Sequence, residues 1–253
     1  MAIKITQDTL RIFVEDLRST HGENLAAVVL YGSAAVGDVV EQQFGYNVLV
    51  ALHSITPQDL RIAKAPIREW QRLGQPLPVY FTLAELTDAA DVFPIEFYQM
   101  ERARRVLYGA DPFEVVELSS ANLRHQTEYE LRGKLIQLRR SYISASSSGE
   151  KLSMLMTESL ASFASLFRPV LLLMGEEPPV KKGDAVRAIV QLLGLDGGSF
   201  EKILDMRATG IDEDEVSEED ANDLFAAYML QLERVIETVD KMADHLKDLR
   251  VSD

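Results

Sequence analysis

Cysteine is missing from all 253 residues, so the chain can form no disulfide, thiolate metal site or cysteine nucleophile. Basic residues are scarce: 26 Lys and Arg face 40 Asp and Glu, a net charge of −14 that argues against a nucleic-acid partner, because phosphate backbones are held by Lys and Arg clusters. Long hydrophobic runs are also lacking. The most apolar one, Leu160 to Met174, is interrupted by Arg168 and Pro169 and falls short of the roughly 20 residues a membrane-spanning helix needs. Met1-Ala2-Ile3-Lys4 has no apolar run behind it, so no signal peptide is read there, and the expectation is a cytoplasmic protein with no membrane and no nucleic-acid partner. His21, His53, His125 and His245 share no metal-ligand spacing. The Gly-x-Ser-x-Gly elbow, the Walker A motif and the Rossmann glycine pattern are all absent. Asp212-Glu213-Asp214-Glu215 lacks the central glycine of a calcium loop and reads as a solvated acidic turn.

What is present is a chain of two textures. With 47% hydrophobic residues it has the makings of packed cores. Over roughly the first 115 residues, apolar runs alternate with amphipathic stretches. A helix is predicted over Thr6 to Ser19 (Leu10, Phe13, Val14 and Leu17 on one face), stopped by Gly22. Strands are predicted at Ala26–Tyr31, Val48–Leu52, Pro78–Thr82 and Arg105–Tyr108. Thr56-Pro57-Gln58-Asp59 should open one helix running to Gly74, and Thr82-Leu83-Ala84-Glu85, a capping box, should open a short one closed by Pro94. From Ser119 onward only helical periodicity remains: a helix to about Ile143, a Ser-rich interruption, a long apolar-striped helix ending at Gly175, and two shorter helices near Asp184 and Ser199. The last helix opens at Ser217 and carries its stripe on to Met242 and Leu246. Five such helices make a bundle. The expected boundary is near residue 118, giving an α/β domain with a mixed sheet over 1–118 and a helical bundle over 119–253 with the main cleft at their junction. Acidity concentrates late: from Glu201 to Asp253 there are 16 acidic and 6 basic residues, a net of −10.

The most specific stretch is Ala26 to Leu52. An apolar strand (Ala26 to Tyr31) runs into Gly32-Ser33, Gly37-Asp38 follows, the eleven residues Ala34 to Phe44 fill a gap, and Gly45-Tyr46-Asn47 precedes a second apolar strand from Val48. This resembles the fingerprint of the nucleotidyltransferase superfamily, the polymerase-beta-like fold: a strand ending in Gly-Ser, a gap, then Asp-x-Asp opening the next strand. With a helical bundle behind it, the order looks like that of the aminoglycoside and small-molecule nucleotidyltransferases. The resemblance implies a nucleotide phosphate near Gly32, Ser33 and Asp38. It also implies two metal ions on the paired aspartates and on a third carboxylate from a later strand.

Here the sequence departs from the family. Gly45 supplies no ligand, Asn47 supplies a neutral amide, and the strand Pro78–Thr82 offers Val79, Tyr80 and Phe81 rather than an acid. Mg²⁺ favours charged oxygen ligands, so no metal site and no catalytic residue is assigned beyond the degenerate positions Gly45 and Asn47. Mg²⁺ and a nucleoside triphosphate are cofactors only under the active reading. Three functions therefore stay open: a degenerate nucleotidyltransferase that retains nucleotide or small-molecule binding in the cleft, an active metal-dependent transferase to a small-molecule hydroxyl, and a structural or interaction protein with an unused cleft. No protein partner is identified. Arg102, Arg104, Arg105, Arg124 and Arg132 form the main basic interval; they either gather round a phosphate-bearing ligand or pair with acids such as Glu101, Glu128 and Glu130.

Overall fold

The structure, a computed structural model, describes residues 7–35, 45–179, 181–210 and 216–242. The chain divides into two compact units, Met1–Leu118 and Ser119–Asp253.

In the first unit, α1 (Gln7–His21) precedes β1 (Leu25–Tyr31), and β2 (Asn47–Leu52) follows the Gly32 turn. Then come α2 (Pro57–Ile62), α3 (Lys64–Arg72), β3 (Val79–Thr82), α4 (Leu83–Asp88), α5 (Pro94–Arg102) and β4 (Arg104–Gly109). The strands form one mixed sheet in the order β3-β2-β1-β4, with β1 antiparallel to both neighbours and β2 parallel to β3. Strand β1 is central and buried on both sides, which is why it reads as a continuous apolar run rather than an alternation. Its even-numbered side chains Val28 and Leu30 join Val48, Val50, Phe13, Leu17 and Trp70 in a core beneath α1 and α3, where the rings of Phe13 and Trp70 stack at 4.3 Å. Its odd-numbered ones, Ala27 and Val29, join Leu49, Ala51, Leu86, Phe97 and Phe113 beneath α4 and α5.

Two departures from the expected pattern come from proline. The single helix expected between Thr56 and Gly74 is two, because the ring of Pro66 crowds the carbonyl four residues back and α2 stops at Ile62. Pro94 does not close a helix; it occupies the first position of α5, where its missing N–H costs nothing. The capping boxes at Thr56 and Thr82 both form, with Asp59 and Glu85 reaching back to the cap backbone.

The second unit is helical: α6 (Ser120–Ala145), α7 (Gly149–Leu173), α8 (Lys182–Leu193), α9 (Gly198–Thr209) and α10 (Glu218–Asp240). The Ser-rich interruption shrinks to Ser146–Ser148, and α10 ends at Asp240, short of Met242, while Leu246 lies outside the described residues. Helix α7 as a whole is long and apolar enough to cross a bilayer, but Leu152, Met156, Leu160, Phe163, Phe167 and Leu171 are all buried within the protein. Asp184 lies inside the first turn of α8 without capping it, and pairs with Arg187 at 3.4 Å.

Candidate functional site

The antiparallel register of β1 and β2 sets Tyr31 opposite Asn47, and that of β1 and β4 sets Tyr31 opposite Arg104. Residues paired across antiparallel strands share a face, so Asn47, Tyr31 and Arg104 form one row across three strands at the end of the sheet where β1 runs out. Gly32 turns the chain there. Its φ of +81° suits glycine, its N–H donates to the Ala103 carbonyl at 2.8 Å, and a methyl in place of its hydrogen would stand 3.5 Å from Asn47 Nδ2. Gly32 and Asn47, separated by the whole gap in sequence, therefore meet in space. The backbone of Ser33 opens a single 3-10 turn, Ser33–Ala35. Asp38, with Gly37, lies outside the described residues.

Gly45 is the informative position. Its φ is +78°, and a Cβ built on it would lie 2.7 Å from Pro76 Cδ and 3.3 Å from Gln75 Oε1. The neighbouring loop is fastened from two sides: the Tyr46 N–H donates to Gln75 Oε1 at 2.8 Å, and Trp70 Nε1 donates to the Pro76 carbonyl at 3.0 Å. Position 45 is thus more than an aspartate with its side chain removed. Its backbone lies in the left-handed region and the space for a side chain is occupied by a fixed proline. The roles of Gln75 and Pro76 escape sequence reasoning, which reads only Gly74 there, as a helix stop.

The place expected for the third carboxylate is equally filled. Val79 pairs with Leu49 and Phe81 with Ala51, on the face shared by Asn47, and Phe81 packs edge-on against Phe97 at 5.6 Å. Tyr80 turns to the other face, where burial pushes its phenol up to about 12. Among the described residues no group of three His, Asp or Glu side chains could hold a metal ion. The pair of Mg²⁺ ions that the fold implies does not fit these donors: one amide oxygen, a glycine and an apolar strand.

Arg104, a member of this row, finds its partners locally. Arg104 Nε donates to Asp111 Oδ2 at 2.7 Å, its Nη1 donates to the Glu101 carbonyl, and its guanidinium lies over the Phe113 ring at 5.6 Å. Arg102 donates to the Tyr98 hydroxyl at 2.6 Å. Burial raises the Glu101 carboxyl above its ordinary value, against the pull of Arg104 and Arg102. In the helical unit, Arg124 and Arg132 both bond Glu128, at 3.0 and 2.7 Å. Of the basic interval, Arg104, Arg124 and Arg132 are committed to acids, with Asp111 rather than Glu101 as the carboxylate that Arg104 bonds, whereas the Nε of Arg105 is buried with no hydrogen-bond partner among the described residues. A pocket of about 370 Å³, lined by Thr157, Glu158, Met206, Arg207 and Gly210, belongs to the helical unit and contains none of the fingerprint positions.

The fold is nucleotidyltransferase-like. A spectinomycin adenyltransferase, AAD(9), from Enterococcus faecialis, solved with ATP and spectinomycin, aligns with a TM-score of 0.54 over 91% of this chain and 99% of that chain, at 14% sequence identity. No protein-family model and no curated relative matches the sequence.

Proposed function

We propose that this chain is a catalytically degenerate nucleotidyltransferase-like protein that binds a nucleotide or another small ligand at the Gly32–Asn47 end of its sheet and transfers nothing. Gly45 carries the reading. Its positive φ and the fixed Pro76 at 2.7 Å leave no room for the first metal-binding carboxylate. Nucleotidyl transfer through two metals needs anionic ligands that bridge both ions and orient the attacking oxygen. Asn47 offers an amide oxygen, and Val79 and Phe81 offer hydrocarbon. What this end of the sheet offers instead is an amide side chain beside a glycine turn, groups that hydrogen-bond a small polar ligand without a metal.

ATP and spectinomycin, the ligands of the fold neighbour, are the natural first probes. Calorimetry with ATP and other nucleoside triphosphates, with and without Mg²⁺, should detect binding that Asn47→Ala weakens. Incubation with labelled triphosphates, Mg²⁺ or Mn²⁺ and a panel of aminoglycosides should give no transfer above background. Transfer that vanishes on Asn47→Ala would overturn the proposal.

A further inference from the structure

Helix α6 is amphipathic in an unusual way. Beside its buried side, Tyr129, Ile136 and Ile143 recur at intervals of seven with 76, 57 and 78% of their surface exposed. The stripe is about 21 Å long at 1.5 Å per residue. Helices α6 and α10 run antiparallel side by side, fixed by Arg139–Glu233 at 2.7 Å, Arg132–Asp240 at 3.4 Å and the stacked rings of Tyr142 and Phe225 at 4.3 Å. At about 100° per residue, the stripe lies a quarter turn from the row facing α10. The same rotation on α10, in the same spatial sense because the helices are antiparallel, brings up exposed Ala226 and Leu230, the latter 48% exposed. Both apolar strips thus crown one face of a two-helix layer whose other face is the core against α7.

That face is electrically two-sided. The exposed charges of α6 are Arg132, Arg139 and Arg140, all basic, whereas those of α10 are six acids against Arg234. A surface with a basic half, an acidic half and an apolar seam is self-complementary under a two-fold axis parallel to the helices, which lays α6 of one copy over α10 of the other. The alternative axis, across the helices, would stack α6 on α6 and α10 on α10, like charge on like.

We propose that this α6–α10 face is the interface of a two-fold dimer of this chain, with α6 seated on α10 of the second copy. An axis along the helices leaves heights unchanged, so Ala226 of the second copy comes level with Ile143, and its Leu230 falls between Ile136 and Ile143. A face two helices wide, about 20 Å, and of this length presents well under the roughly 800 Å² per partner of standard interfaces. The dimer is accordingly of the weak, transient class, half-formed at a concentration on the order of tens of micromolar.

Sedimentation of the full chain across that concentration range is the first test, expecting a concentration-dependent dimer. Ile136→Glu and Leu230→Glu, both at exposed positions, should each raise the dissociation constant at least tenfold while leaving the thermal midpoint unchanged. Because the chain has no cysteine, geometry can be read directly. Mixed Ile143→Cys and Ala226→Cys proteins should form a disulfide-linked heterodimer under oxidising conditions, and Ile136→Cys alone should not. A monomer at every concentration, a dimer indifferent to both Glu variants, or efficient cross-linking of Ile136→Cys to itself would each overturn the proposal. Nucleotide binding is a separate readout, so either idea can fail alone.

Discussion

Restoring the missing aspartate at position 45 should damage the protein rather than revive it, and the structure supplies the magnitude. A side chain at φ +78° meets the left-handed penalty, about 1–2 kcal/mol for a residue other than glycine. It also places Cβ 2.7 Å from Pro76 Cδ, closer than packed carbon atoms tolerate. Pro76 cannot retreat freely, because its carbonyl is held by Trp70 Nε1 and the adjacent Gln75 by the Tyr46 N–H. Yielding there would cost a further ~1 kcal/mol or more through those bonds. Gly45→Ala should therefore lose about 2–3 kcal/mol of stability, which for a chain of this size is a fall of several degrees in thermal midpoint, and Gly45→Asp should lose less but still measurably, since aspartate tolerates positive φ better than alanine while its Cβ meets the same proline. Calorimetric or fluorescence-monitored unfolding measures it, and Pro76→Ala supplies the second edge of a double-mutant cycle. Combined with Gly45→Ala it should recover about 1 kcal/mol, since the two residues are in contact. A Gly45→Ala protein as stable as the parent, or no coupling to Pro76, would refute the claim that the backbone itself excludes an acid here.

Burial holds the His21 imidazole below its ordinary value of 6.5, with Asp59 opposing more weakly. The folded state therefore binds fewer protons than the unfolded one, so stability should be full above pH 6.5 and decline as pH falls through that value toward the folded one. His21→Phe should remove this component of the pH profile. Glu128→Gln should destabilise the helical unit by about 1.5–3 kcal/mol, the worth of a hydrogen bond to a charged group, because both Arg124 at 3.0 Å and Arg132 at 2.7 Å bond this carboxylate; chemical denaturation is the check, and no measurable loss would contradict it.

The central strands were readable because β1 and β2 are buried on both faces and hydrophobicity alone marks them. The helix start at Thr56 and the capping box at Thr82 were equally plain, since their hydrogen bonds lie within four residues. What misled were prolines, whose meaning depends on which side the helix lies. Pro66 breaks a periodic run because of a carbonyl four residues back, and Pro94 starts the helix that buries Phe97 and Met100. In the sequence the candidate site is defined only by the missing acids at 45, 47 and 79–81. The state of Gly45 is not legible there, because a positive φ and a fixed proline thirty-one positions later depend on tertiary contacts. Nor does the local sequence tell Asp111 from Glu101 as the carboxylate for Arg104; the turn after β4 decides it.

The sharpest consequence of the missing acids concerns the metal dependence of binding rather than rate. In a site built on three carboxylates, a triphosphate arriving without Mg²⁺ meets fixed negative charge. At about 4 Å and an effective dielectric near 20, each such pair repels by about 4 kcal/mol, so the ions are needed for binding as well as chemistry. At the described end of this sheet that repulsion is gone: Asn47 is neutral, Gly45 is bare, Val79 and Phe81 are apolar, and Asp111 is occupied by Arg104 at 2.7 Å. Triphosphate affinity measured by calorimetry in excess chelator should therefore lie within about tenfold of that in millimolar Mg²⁺, a difference of no more than ~1.4 kcal/mol. Asn47→Asp, which restores one charge without the left-handed strain of position 45, should weaken metal-free binding and make Mg²⁺ matter again. Binding that collapses more than a hundredfold in chelator for the parent protein would mean that carboxylates still gather round the ion, and the degenerate reading of the site would fall with it.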